Sequence, residues 1–194
     1  MGKAFYLYRQ YLSLALMAAS VLLVRPLTAD PVVNRWCEGL AFALVLAGGA
    51  IRSWAMGYHV WRRRKGPEGE RSLVTAGPYA RVRNPLYLGT LLISAGIALM
   101  SGSWVIILIY VLVFWSGYYA TILWEEQRLA RQFTEAYGEY FRQVPRLVPS
   151  FSKWLHPEGS FSFPAMLRCM EPVKTLGFVA LLVLMMLRKG GFGA

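Results

Sequence analysis

The stretch VIILIYVLVFWSGYYATIL, residues 105–123, runs nineteen positions without a charged side chain. A helix crossing the hydrocarbon core of a bilayer needs about 20 largely apolar residues, and this run meets that length outright. Four shorter apolar runs accompany it: Tyr11–Val24, Leu40–Ile51, Leu86–Met100 and Leu176–Leu187. They reach spanning length once flanking Tyr, Trp, Gly and Ser residues are included, which suit a membrane boundary. Composition agrees: 56% of residues are hydrophobic and 16% charged, against about 45–50% and about 25% in soluble domains. The expected fold is an all-α integral membrane protein with about five transmembrane helices. The first run has the length of a secretory signal, but Arg25-Pro26 follows it in place of a small-residue cleavage site, so a retained helix is expected.

Working outward from residues 105–123, the turn before them is short, around Ser101-Gly102-Ser103. The third and fourth helices are therefore expected to be antiparallel neighbours. The segment entering the third helix and the segment leaving the fourth then meet at one membrane face, and a site built from both lies at that boundary. No repeat, low-complexity tract or long linker divides the chain. It reads as one domain over residues 1–194, with a motif-bearing core at about 59–149, an interfacial segment at 150–172 and a last transmembrane helix at 173–188.

The net charge of +11 is unevenly placed. Between His59 and Pro85 seven basic residues, among them Arg62, Arg63, Arg64 and Lys65, face only Glu68 and Glu70. From Trp124 to Lys174 seven basic residues meet six acidic ones. Basic residues beside membrane helices mark the cytoplasmic side, so both polar segments, and the site between them, are expected to face the cytosol. The Arg62–Lys65 cluster suits the headgroups of anionic membrane lipids. A nucleic-acid partner is set aside, because no recognition module accompanies the charge. Cys37 and Cys169 show neither metal-ligand nor redox spacing and read as packing residues, so no metal is expected. His59 and His156 read as interfacial or structural.

Turn formers punctuate the first polar segment at Gly66-Pro67, Gly77-Pro78 and Asn84-Pro85, and Pro85 suits the first position of a helix. The second segment predicts a helical continuation from Trp124 to about Phe141, ended by Val144-Pro145 and Val148-Pro149. Beyond it, Phe151–Met170 reads as a peripheral stretch on the membrane surface.

Two places combine polar residues with membrane depth: Arg71–Gly89, and Glu125-Glu126 directly after the long apolar run. Ionisable residues at the end of a membrane helix usually face a cavity or a partner. Equally, the two glutamates mark the water interface and pair with Arg128 or Arg131, and Tyr79 and Tyr87 serve as interface aromatics. The ordered set Leu73-Val74-Thr75, Gly77, Tyr79, Arg83-Asn84-Pro85, Tyr87, Gly89, Glu125-Glu126, Phe133, Tyr137-Gly138, Tyr140, Val144-Pro145-Arg146 and Pro149 closely resembles the isoprenylcysteine carboxyl methyltransferase and phospholipid methyltransferase superfamily. The resemblance covers roughly Arg71 to Pro149.

That resemblance implies S-adenosylmethionine as methyl donor, bound by the loop before the third helix and the end of the fourth. Carried over by position, Arg71, Ser72, Leu73, Val74 and Tyr79 would line the donor pocket, with Arg83, Asn84, Pro85, Leu86 and Tyr87. Glu125 would meet the donor's ammonium. Adjacent residues on a helix point about 100° apart, so Glu126 should not share that task. Glu126 and Asn84 are the candidate catalytic residues, and Glu126 or water would take the proton that an ammonium acceptor has to lose. Three departures qualify the match. Asn84 stands where many members have His, and Asn does not titrate near neutral pH. Arg71 stands where the isoprenylcysteine branch has His. Thr121 stands where that branch has an Arg for the substrate carboxylate, and a hydroxyl replaces a bidentate cation poorly.

The expected function is methyl transfer to a lipid-soluble acceptor, either a phospholipid amine or a hydrophobic carboxylate. The alternatives are a sterol-reductase-like, NADPH-dependent membrane reductase and a non-catalytic membrane scaffold of the same fold.

Overall fold

The computed structural model describes residues 2–59, 73–150 and 158–191. Among these the regular structure is helical throughout: α1 (Gly2–Leu22), α2 (Pro31–His59), a 3-10 turn (Gly77–Ala80), α3 (Pro85–Ser101), α4 (Trp104–Val113), a π turn (Phe114–Tyr118), α5 (Tyr119–Gln132), α6 (Thr134–Gln143), α7 (Phe163–Arg168) and α8 (Glu171–Gly191). The five apolar runs fall on α1, α2, α3, the continuous α4–α5 unit and α8. Among the described residues two helices are long and apolar enough to cross a membrane, Pro31–Tyr58 and Trp104–Gln132. The apolar parts of α1 and α3 are shorter, at Tyr11–Leu22 and Pro85–Ser101.

Residues 105–123 bury Ile106, Phe114 and Ile122 but leave one apolar side of the helix uncovered. Trp104 is 65% exposed, Val105 60%, Leu108 57%, Leu112 58% and Trp115 58%, and their spacing puts them on one side of the helix. Water would oppose so continuous an apolar stripe; hydrocarbon would not.

What holds the helices together is close approach. α2 packs along α3 through glycines. A Cβ added at Gly48 would lie 2.6 Å from the carbonyl oxygen of Gly89, and one at Gly96 would lie 2.7 Å from that of Ala41. Gly49 likewise abuts Thr175 on α8. In lipid, apolar burial gives helices little drive to associate, so dispersion at such small-residue contacts carries more of the load. Around this seam Ala41 and Val45 of α2, Ile93, Ile97 and Met100 of α3, and Leu182 and Met185 of α8 form the buried core.

The predicted hairpin turn is present. Gly102 caps α3 in the left-handed region (φ 63°), its N–H bonded to the Leu99 carbonyl, and a Cβ there would overlap the backbone of Arg25. Pro85 opens α3 as expected. Asn84, just before α3, reaches Glu126 in the middle of α5, so the two helical units run in opposite directions.

One element differs from its prediction. The single helix expected from Trp124 to Phe141 breaks at Phe133, whose backbone leaves helical geometry (φ −128°, ψ 38°). The break lets α6 turn its Tyr137 and Tyr140 into a second buried cluster with Leu73 and Val144. In the stretch read as peripheral, α7 is a six-residue helix with Phe163 and Leu167 exposed. α8 begins at Glu171, two residues before the predicted last span. The Arg62–Lys65 cluster and His156 lie outside the described residues.

Candidate functional site

Glu126 is the hub that closes the polar end of the fold. It is 5% exposed. Its Oε1 accepts from Arg83 Nε at 3.2 Å and from Asn84 Nδ2 at 2.8 Å. Its Oε2 accepts from Arg146 Nε at 3.0 Å and forms an ion pair with Nη2 at 2.9 Å. A buried carboxylate is tolerated when paired and hydrogen-bonded on both oxygens. The three partners come from the loop before α3 and the segment after α6, so one side chain ties three segments together. Arg83 also donates to the carbonyls of Phe141 and Val144 and lies over the Phe141 ring. Its own N–H donates to the Pro145 carbonyl at 2.8 Å. Arg146 donates to the Tyr119 hydroxyl at 2.6 Å, and its hydrogen bond to Glu126 raises its pKa further, keeping it charged.

The loop leading to α3 is fixed from two sides. The Tyr140 hydroxyl donates to the Tyr79 carbonyl at 2.7 Å. Burial pushes the Tyr140 phenol well above its ordinary pKa, so it stays protonated. The N–H groups of Thr75 and Ala76 both donate to the Glu158 carbonyl at 3.0 Å.

These contacts wall a cavity of about 560 Å³, within the range of small-molecule sites. Toward the loop its lining includes Leu73, Val74, Tyr79, Asn84, Tyr87 and Glu125; between the helices it continues along Leu16, Met17, Ile97, Val113, Phe114 and Phe178. The π turn contributes here: by widening the helix at Phe114–Tyr118 it carries both Phe114 and Tyr118 to the cavity wall, a common use of such turns.

The two glutamates part company as helical geometry requires. Glu125 is half-buried and lines the cavity; among the described residues it has no hydrogen-bond or ion-pair partner, and neither Arg128 nor Arg131 bonds to it. Glu126 is not part of the lining. With both oxygens engaged it holds Arg83, Asn84 and Arg146 rather than facing a ligand. Of the other residues predicted for the site, Leu73, Val74, Tyr79, Arg83, Asn84, Pro85, Leu86 and Tyr87 all line the cavity, whereas Arg71 and Ser72 lie outside the described residues. Thr121 is fully buried and donates to the Gly117 carbonyl at 2.9 Å within its own helix; it is not part of the lining.

Among the lining residues that sequence reasoning missed are Arg52, Thr90, Glu171 and Lys174. Arg52 alone carried a signal, as the single charged residue in the otherwise apolar stretch from Leu40 to Tyr58.

The phospholipid methyltransferase family model matches residues 36–136, which is 101 of 194 positions. The chain belongs to this family. Over 77 residues it is 36% identical to a protein-S-isoprenylcysteine O-methyltransferase of Schizosaccharomyces pombe, covering 40% of the chain and 33% of that relative. Over 121 residues it is 32% identical to the cobalt-zinc-cadmium resistance protein CzcN of Cupriavidus metallidurans, covering 60% and 53%. Over 120 residues it is 28% identical to protein-S-isoprenylcysteine O-methyltransferase B of Arabidopsis thaliana, covering 59% and 60%. The chain thus spans from a third to three fifths of the length of these relatives. No solved structure gives a significant match.

Proposed function

We propose that this chain is a multi-pass membrane enzyme, with about five spans, that transfers a methyl group from S-adenosylmethionine to a lipid-soluble acceptor. The observation that carries this reading is Glu125: a half-buried carboxylate in the cavity wall, without a partner among the described residues, beside a neighbour whose every oxygen is engaged. An unpaired carboxylate in a sheltered wall is costly, and an ammonium from a ligand relieves that cost.

The residues present fit such a donor. Glu125 would hold its ammonium. Tyr79, Tyr137 and Leu129, all in the wall, offer aromatic and apolar surface for a base. When bound, the donor supplies a methyl group activated by a sulfonium. The chain's own share is to bind, orient and exclude water, and near-attack alignment of this kind is worth up to roughly 7–11 kcal/mol in favourable systems. Glu126 acts at one remove: by fixing Arg83 and Asn84 it sets the start of α3, and with it the wall that carries Tyr87. The apolar half of the cavity, between α1, α3, α4 and α8, would receive the acceptor's hydrophobic part from the bilayer. The basic charge around both polar segments favours a cytosolic position for the polar end.

The test is transfer of labelled methyl from S-adenosylmethionine into a total lipid extract by the purified protein in nanodiscs. Label in the organic phase supports the proposal. A persistent blank with protein that is folded by thermal melt overturns it and favours a scaffold.

A further inference from the structure

α2 and α8 bring a second charged cluster to the same cavity, on residues outside the donor motifs. Arg52 donates from Nε to Glu171 Oε2 at 2.8 Å and from Nη2 to Oε1 at 3.1 Å. Its Nη1 donates to Thr90 Oγ1 at 2.7 Å and to the Leu86 carbonyl at 3.3 Å. Lys174 Nζ donates to Glu171 Oε1 at 2.9 Å. Glu171 is 3% exposed, Arg52 24% and Lys174 52%, and Arg52, Thr90, Glu171 and Lys174 all line the cavity.

Charge and donors are both in surplus. Two cations meet one carboxylate, and Glu171 has an N–H on each oxygen. Among the described residues, Lys174 uses one of three ammonium donors and Arg52 four of five. Spare donors with net positive charge receive an anion, whereas an ammonium would meet like charge. Ionisable residues this close to hydrocarbon are expensive and mark substrate paths. The cluster also adjoins the donor side, because the Leu86 carbonyl that accepts from Arg52 and Thr90 belongs to the first turn of α3. Met17, Ile93, Ile97 and Phe178 continue the wall as apolar surface suited to a hydrocarbon tail.

We infer that Lys174 and Arg52, positioned by Glu171, form the subsite for the acceptor's headgroup, and that the acceptor is a lipid-soluble molecule with an anionic headgroup, carboxylate or phosphate. This rests on the cavity being the methyltransferase site proposed above. It disfavours a free amine as the group received there.

The experiment is equilibrium binding of labelled oleate, oleyl phosphate and oleylamine to the full chain in phosphatidylcholine nanodiscs, corrected for partition into empty discs. At least one anion is expected to bind about tenfold more tightly than the amine, and the stronger of the two identifies the headgroup. Lys174→Ala should weaken anion binding about tenfold and Lys174→Glu should abolish the preference. Lys174 is half exposed, so both variants are expected to fold, as a thermal melt checks. S-adenosylhomocysteine binding, measured alongside, should be unchanged in both. Equal binding of anions and amine, or anion binding indifferent to both substitutions, overturns the inference. Loss of S-adenosylhomocysteine binding from the wild type, with the anion preference intact and dependent on Lys174, overturns the donor assignment instead and leaves the anion subsite standing.

Discussion

Glu125 and Glu126 are consecutive in the chain and opposite in circumstance: one faces the cavity with no partner among the described residues, the other is buried against Arg83, Asn84 and Arg146. Their roles separate accordingly. Removing the first should affect ligand binding; removing the second should affect the fold.

Glu126→Ala leaves two guanidinium groups facing each other at a site where Arg83 is 7% exposed. Removing one partner of a buried pair costs about 3–5 kcal/mol. The variant is expected to melt far below the wild type in detergent, as followed by tryptophan fluorescence, while Glu125→Ala stays within about 0.5 kcal/mol of it. Equal losses in the two variants would contradict the division of roles.

The α2–α3 seam makes a second prediction. A Cβ at Gly89 would lie 2.7 Å from the Gly48 carbonyl oxygen, a backbone atom that yields only if the helices separate. Gly89→Ala should therefore destabilise by about 1–3 kcal/mol. Gly39→Ala meets open space and should be neutral or stabilising by up to about 1 kcal/mol, since alanine favours helix. Paired thermal melts check both.

Tyr140 gives a pH dependence whose sign can be worked out. Its folded pKa is raised above the ordinary 10.0, first by burial and then by neighbouring Tyr79 and Tyr137. The folded state thus keeps a proton that the unfolded state releases, so this stabilisation is complete below pH 10 and declines as pH rises above it. Melting temperatures measured from pH 8 to 11 should fall steeply at the alkaline end. Tyr140→Phe should flatten that fall while losing about 1 kcal/mol near neutrality with its hydrogen bond to the Tyr79 carbonyl.

Much of this architecture was legible in the sequence because it follows from local rules. The apolar run at residues 105–123, Gly102 at the turn and Pro85 at the start of α3 each act through their own backbone or their own helix. The hairpin then placed the segments that carry Asn84 and Glu126 at one face; their hydrogen bond is seen only in the structure. The break at Phe133 was not legible, since no Gly or Pro marks it; the cause is tertiary, the burial of Tyr137 and Tyr140 against Leu73 and Val144. The Arg52–Glu171 pair was invisible for a similar reason. Its partners are 119 positions apart and meet only because α2 packs on α8, which no periodicity announces. Thr121, singled out in sequence as a missing cation, turns out to bond within its own helix away from the cavity. The positive charge in the wall comes from other elements.

The central claim is a donor pocket built on Glu125, and calorimetric titration of S-adenosylhomocysteine into the purified protein tests it most directly. The wild type is expected to bind, and Glu125→Ala to bind at least about tenfold more weakly at unchanged melting temperature, as befits a lost charge-assisted hydrogen bond. No binding to the folded wild type, or equal binding to Glu125→Ala, would contradict it.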